Sequence, residues 1–158
     1  MLRQDDHDAR GSLRTSPAFD QNKLHSWVWK GARKQWVFGQ HERAVVDALG
    51  ALIARIQEKT GYEKDGEGLF TDAFAVKAPP RPGQPRLRVL PGAHAANSDN
   101  RQEGALLLGK VCIKAIRNPA SHGHSDDLTQ QAALEQLGML SVLARWADDA
   151  VVERHVDD

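Results

Sequence analysis

Between residues 101 and 117, apolar side chains fall on nearly every face of a helix. Leu106, Leu107, Leu108, Val111, Cys112, Ile113, Ala115 and Ile116 all lie in this window. A helix that is apolar all round has no face to offer water, so the spacing predicts the central, most buried helix of a bundle. Nothing in the chain approaches the length of a membrane span, so the cover must come from other helices. Residues 40–60 supply one, with Val45, Leu49, Leu52, Ile53 and Ile56 on a single stripe before Gly61. Residues 128–147 supply another, capped at Asp126 or Asp127. Ala133, Leu137, Leu140, Ala144 and Ala147 form one apolar face; Met139, Val142, Leu143 and Trp146 form a second, offset face, so this helix either lies deep in the core or serves both a core and a partner copy. A Trp-rich segment with Trp27, Trp29 and Trp36 adds a helix ending near Gly39. The pattern predicts an all-α bundle of four to five helices.

The connections are legible from their punctuation. Glycine turns at Gly66 and Gly68 precede an apolar piece, residues 69–76, whose pattern suits no single type. Pro79, Pro80, Pro82 and Pro85 forbid regular helix and predict an extended, inserted loop, with residues 86–90 readable as a short strand. Residues 1–22 are polar and aperiodic and read as a flexible arm, residues 23–150 as the helical domain, and residues 151–158 as an acidic tail.

Charge and cysteine usage narrow the classes. The 21 basic residues balance the 21 acidic ones, so no global nucleic-acid signature exists. The balance is uneven along the chain: residues 1–43 and 44–125 each carry +3, and residues 126–158 carry −6. A basic body with an acidic end is compatible with local RNA binding. Cys112 is the lone cysteine, inside an apolar run, which excludes an internal disulfide framework and reads as a buried thiol. No apolar leader follows the charged N-terminus, and a cytoplasmic protein is expected.

Chemistry concentrates at the end of the apolar helix, in Arg117-Asn118-Pro119-Ala120-Ser121-His122. Arginine is a permanent cation whose fork matches phosphate oxygens. Histidine exchanges a proton near neutral pH. Asn118 precedes a proline, which predicts a stop or kink there and leaves Ser121 and His122 on the turn beyond. Lys110, Lys114 and Arg117 fall at i, i+4 and i+7, a cationic stripe that suits phosphate; Glu103 and Ser121 are supporting residues. RNA carries its own nucleophile, so an arginine and a histidine suffice to cleave it: His122 moves the proton, Arg117 holds the phosphate oxygens, and Asn118 orients either. His122 and His124 bracket Gly123 without a third ligand at local spacing, so neither metal nor cofactor is expected. His25, His41 and His94 read as surface or packing residues, and the four tryptophans as core and interface.

Glu103, Gly104, Gly109, Ile116-Arg117-Asn118-Pro119 and His122 together resemble the signature of the Ymh-type group of HEPN domains. The resemblance extends through Ala32, Trp36, Gly39, Ala44-Val45, Asp65-Gly66 and Gly68-Leu69, and onward to Leu140-Ser141 and Leu143. It implies a HEPN-like helical bundle that dimerises to bring two Arg-x4-His motifs into one cleft. It further implies a metal-independent ribonuclease of toxin–antitoxin or phage-defence systems, with an antitoxin or sensor protein as partner. Carried over by residue, Arg117 and His122 are catalytic and Asn118 is the polar residue after the arginine. The Pro79–Pro85 insertion departs from that pattern. Two other readings stand beside it: a non-catalytic HEPN-like module that binds nucleotide, RNA or a protein through Arg117, and a purely structural helical adaptor.

Overall fold

A hairpin of two helices forms first along the chain, and a glycine sets how closely they approach. In the computed structural model, which describes residues 19–90, 98–121 and 128–157, helix α1 (Ser26–Val37) buries Val28 and Ala32. Helix α2 (His41–Thr60) buries eight residues along its whole length, from Ala44 to Thr60. At Gly31 the helices nearly touch: a Cβ there would sit 2.8 Å from that of Ala51. Gly61, at φ 80°, ends α2 in the left-handed region that glycine adopts without strain.

Residues 69–73 of the undecided segment belong to helix α3 (Gly66–Ala73), which buries Leu69, Phe70 and Ala73. The helix also takes in Gly66 and Gly68, where the sequence predicts turns, because the Asp65 carboxylate caps its first turn. The Phe70 and Phe74 rings stack at 6.2 Å. The Pro-rich loop then runs to strand β1 (Arg86–Arg88) and is held by the Arg86 guanidinium, which donates to the carbonyls of Ala75, Val76 and Ala78. Tyr62 adds a 2.7 Å bond from its hydroxyl to the Pro85 carbonyl.

Helix α4 (Ser98–Cys112) carries the apolar run, yet it is not the most buried helix. Leu107 and Val111 are about half exposed, and only Gln102, Ala105, Gly109 and Cys112 of α4 are buried. The reason is the shape of its contact face: small residues let α4 lie directly on α3, with Gly109 against the Phe70 ring. The larger leucines are thereby pushed to the flanks. The fully buried Gln102 latches the strand to this helix, accepting from the Val89 N–H and donating to the Leu87 carbonyl, both at 2.9 Å.

A π-helical turn (Ile113–Arg117) and a short helix α5 (Asn118–Ser121) come next, and then helix α6 (Gln130–Asp149). The cap of α6 is Thr129, whose hydroxyl accepts from the Ala132 N–H at 3.1 Å. Asp126 and Asp127, expected in that role, lie outside the described residues. Strand β2 (Val151–Glu153) pairs antiparallel with β1, in a stretch that reads as acidic tail. Register explains it: Arg86 stands opposite Glu153, and their side chains form a 2.6 Å ion pair. Asp148, at the end of α6, also binds inward. His25 is buried, its Nδ1 accepts from the Trp27 N–H to cap α1, and its Nε2 donates to Asp148 at 2.8 Å. Lys59 donates to the Ala147 and Asp148 carbonyls, and burial lowers its pKa against the pull of Asp148 and Asp149. The molecule is thus a mostly helical bundle with one two-stranded sheet among the described residues. No described helix is long and apolar enough to cross a membrane. Of the N-terminal arm, residues 1–18 lie outside the described residues, as does His94.

The packing at α4 separates two glycines by outcome. A Cβ at Gly109 would enter the Phe70 ring, whereas one at Gly104 meets nothing within 4 Å. Gly109→Ala is expected to lose about 2 kcal/mol or more of stability, and Gly104→Ala to gain up to about 1 kcal/mol from helix propensity, both read by urea denaturation. Equal effects at the two sites would refute this packing. Burial also pushes the Cys112 thiol up to about 11. At pH 8 the native protein is expected to resist a thiol reagent that modifies Cys112 completely once the chain is unfolded.

Candidate functional site

Pro119 determines how the end of the apolar helix is built. Proline offers no N–H, and its ring crowds the carbonyl four residues back. The Asn118–Pro119 pair predicts a break, but Asn118 remains helical at φ −65° and ψ −45°. Its N–H donates to the carbonyl of Ile113, five residues back, so the preceding turn is one residue wider than an α-turn. The wider turn makes room for the ring and lets the chain stay helical through Ser121. The extra residue also swings the residues beyond it round the axis by about 100° relative to a straight helix.

The cations of this turn face the acidic start of α3. Arg117 Nη1 lies 2.7 Å from Asp65 Oδ1, and Lys114 Nζ lies 3.3 Å from Glu67 Oε2. The cationic stripe read from the sequence is therefore two-thirds neutralised, because residues that precede it by some fifty positions pack across from it. Lys110 is half-buried and forms no ion pair among the described residues. Glu103 is not brought to the site: fourteen helical positions separate it from Arg117, about 21 Å of axis. Ser121 is close, but its hydroxyl is used within the helix, donating to the Arg117 carbonyl at 2.9 Å. Asn118 is half-buried beside Arg117 in the chain and makes no side-chain hydrogen bond among the described residues. His122 and His124 lie outside the described residues.

Asp65 is the residue that periodicity and motif leave without a role. The same oxygen that meets Arg117 also accepts from the Gly66 N–H at 2.6 Å, so one carboxylate caps α3 and holds the guanidinium. Burial raises the Asp65 pKa, but the Arg117 hydrogen bond, the Gly66 N–H and the arginine's charge outweigh it and leave the group below its ordinary value. Gly66 completes the arrangement, with φ at 69° and a Cβ position only 3.0 Å from Arg117 Nη2. A side chain there would be strained and would press on the guanidinium. The signal was present as an Asp-Gly pair opening a helix; its partner was not legible from spacing.

Arg117 opens into a cleft of about 450 Å³ with Asp65, Gln57, Ile53, Gly50, Asp47 and Val46. A second cleft, of about 480 Å³, shares Val46 and Asp47 and continues past Arg43, His41 and Gly39 to Ala120 and Ser121. Together they form a groove along α2, floored at Gly50, where a Cβ would meet nothing within 4 Å. About half of the groove wall is α2, mostly its polar face, with Ile53 of the apolar stripe and Val46 among the lining residues. His41 packs against Trp36 with the ring centroids 4.6 Å apart and the planes tilted by 55°, a packing role at the groove's far end. Among the described residues no group of three His, Cys, Asp or Glu side chains is placed to hold a metal.

Residues 22–147 match the Hypoth_Ymh family, a protein family of unknown function, and the chain belongs to it. The matched span contains Asp65, Arg117 and every residue of the groove. No curated protein and no solved structure matches the chain.

The Asp65–Arg117 pair yields a pH signature. A carboxyl held below its unfolded value adds stability above the unfolded pKa, near 3.8, and loses it as pH falls through the folded value. Asn caps a helix as well as Asp, so Asp65→Asn isolates the ion pair. The variant is expected to be less stable than wild type at pH 7 by up to about 1 kcal/mol, as for a largely exposed pair. The difference should vanish at the acid end of a denaturation series. A difference that persists there would mean that shape or capping, and not charge, is what Asp65 contributes.

Proposed function

We propose that the chain is a HEPN-type, metal-independent endoribonuclease that cleaves RNA by attack of the 2′-hydroxyl on the adjacent phosphodiester. The observation that carries the reading is Arg117. Its partly exposed guanidinium faces an open groove, is engaged by one carboxylate oxygen, and sits one helical turn before Ser121, the residue preceding His122. A guanidinium offers five donors, so a single oxygen at Nη1 leaves most of the fork for a phosphate. Asp65 keeps Arg117 oriented while the groove is empty.

The chemistry balances without a further reagent. His122 or its counterpart in a second copy takes the 2′-hydroxyl proton as the 2′-oxygen bonds to phosphorus. Arg117 draws closer to the non-bridging oxygens as their charge grows. The phosphorus–5′-oxygen bond breaks, the leaving oxygen receives a proton, and the products are a 2′,3′-cyclic phosphate and a 5′-hydroxyl. Asn118 is free to orient a phosphate oxygen, and Lys110 adds positive potential along the approach, whereas Lys114 would first have to leave Glu67. The HEPN resemblance supports a homodimer with two such motifs in one cleft, acting as a toxin or phage-defence effector beside an antitoxin or sensor protein.

The second reading is the non-catalytic module, and the Asp65–Arg117 ion pair favours it. An arginine held by a carboxylate also serves as a tether between α3 and the turn after α4, or as an anion-recognition point that needs no histidine. His122 discriminates, because only catalysis requires a proton-transfer group.

Purified protein in EDTA is expected to cleave a mixed RNA pool and leave cyclic-phosphate ends. His122→Ala and Arg117→Ala should each slow cleavage by about a hundredfold or more while remaining folded. Activity that survives His122→Ala removes the catalytic assignment. A folded wild-type dimer that binds RNA through Arg117 without cutting it establishes the binding module.

A further inference from the structure

The outer face of α1 is cationic in a way no other described helix is. Lys30, Arg33 and Lys34 are exposed on one face, at i, i+3 and i+4, and α1 contains no acidic residue. Arg43 adds an exposed cation on the first turn of α2. None of these four forms an ion pair among the described residues. Several cations elsewhere are paired, Arg55 with Glu58, Lys64 with Asp72, Arg86 with Glu153, Lys114 with Glu67 and Arg117 with Asp65, and no other described helix gathers three unpaired cations on one face without an acidic residue. Like charges a helical turn apart repel, so this face is poised for an external polyanion whose condensed counterions these cations would release.

The same face leads into the groove. Its next positions are Val37 and Phe38, 80% and 72% exposed, the barest large apolar residues near the site. Gly39 comes immediately after and lines the cleft that reaches Ser121. An exposed phenylalanine beside a line of cations is the pairing that single-stranded nucleic acid uses, phosphates on the charges and a base on the ring. Lipid fits less well. The apolar side of α1 is already buried through Val28 and Ala32, leaving two residues at a tip to enter a bilayer.

We propose that the outer face of α1 and the Val37–Phe38 tip form a docking track for single-stranded RNA, which delivers the strand over Gly39 into the groove that Arg117 faces. The track rests on the nuclease reading for its purpose, but not for its test. A 2′-O-methyl oligouridine of about twenty nucleotides, longer than a typical single-strand site, has no free 2′-hydroxyl and cannot be cut by the proposed route. Its binding therefore reports docking alone.

Fluorescence anisotropy with this oligonucleotide in EDTA is expected to show salt-dependent binding by the wild-type protein. The triple variant Lys30→Gln, Arg33→Gln, Lys34→Gln should bind at least tenfold more weakly. The slope of log Kd against log salt should fall by about 2, at about 0.7 for each phosphate that the variant no longer neutralises. Phe38→Ala should weaken binding about tenfold with the slope unchanged. All four side chains are exposed, and circular dichroism of the variants is expected to match wild type. Unchanged affinity and slope in the triple variant, or no binding by wild type, overturns the track. So does tight binding to vesicles with anionic lipid alongside no affinity for the oligonucleotide. If the variants lose binding while wild type never cleaves unmodified RNA, the track stands and the nuclease reading falls.

Discussion

Pro119 has no N–H to give, and the geometry of the candidate site depends on that missing donor. The wide turn at Ile113–Arg117 is the adjustment that lets a proline sit in a continuing helix, with the Asn118 N–H reaching back to Ile113. A straight α-helix or a clean break would each present Arg117 in another direction. With the wide turn, the guanidinium meets Asp65 at the opening of α3, and Ala120 and Ser121 reach the far cleft. Wide turns of this kind recur at functional sites because they re-aim a side chain without ending the helix that supports it.

The fold was legible wherever one face of a helix had one job. The stripe on residues 40–60 specifies α2 nearly to the residue, and Gly61 stops it with the left-handed conformation its position implies. Legibility failed where small residues set the packing. Leu106, Leu107 and Leu108 dominate the composition of α4, yet Gly109, Ala105 and Cys112 decide which side faces inward, because close approach to Phe70 outweighs the larger side chains' area. Periodicity counts apolar residues and does not weigh how near two axes can come. Strand β2 was hidden for another reason: Val151–Glu153 is too short to show alternation, and only its partner Arg86, 67 positions away, gives Glu153 its place.

The site divides along the same line. Arg117 was readable as a candidate because its residue type and its place at a helix end suit an anion. Asp65 was not, since an Asp-Gly pair before a helix is explained by capping alone, and only tertiary structure shows the carboxylate serving two partners. The groove wall from Arg43 through Asp47 to Gln57 was equally hidden, because a polar helix face looks the same whether it meets water or a ligand. His122 rests on the sequence alone.

The distribution of paired and unpaired charge bears on how a strand would be handled. At the bottom of the groove the cation is checked by a carboxylate, so an anion there must compete with Asp65 for the guanidinium. That competition favours a phosphate held by further contacts over a free ion, since a tethered group arrives at high effective concentration. On α1 nothing among the described residues checks the cations, and attraction there is long-ranged and unselective. Weak discrimination at the rim and stronger discrimination at the centre is the order a polymer-handling site requires. On the proposed reading, a chain captured first along α1 would present its phosphates to Arg117 one after another, and the Asp65 carboxylate would yield only to one seated in the groove. The uneven charge along the sequence, basic through its first two parts and acidic at its end, thereby acquires a structural meaning. Of the acidic end, Asp148 and Glu153 turn to His25 and Arg86, and among the described residues of the basic beginning Lys30, Arg33, Lys34 and Arg43 face out.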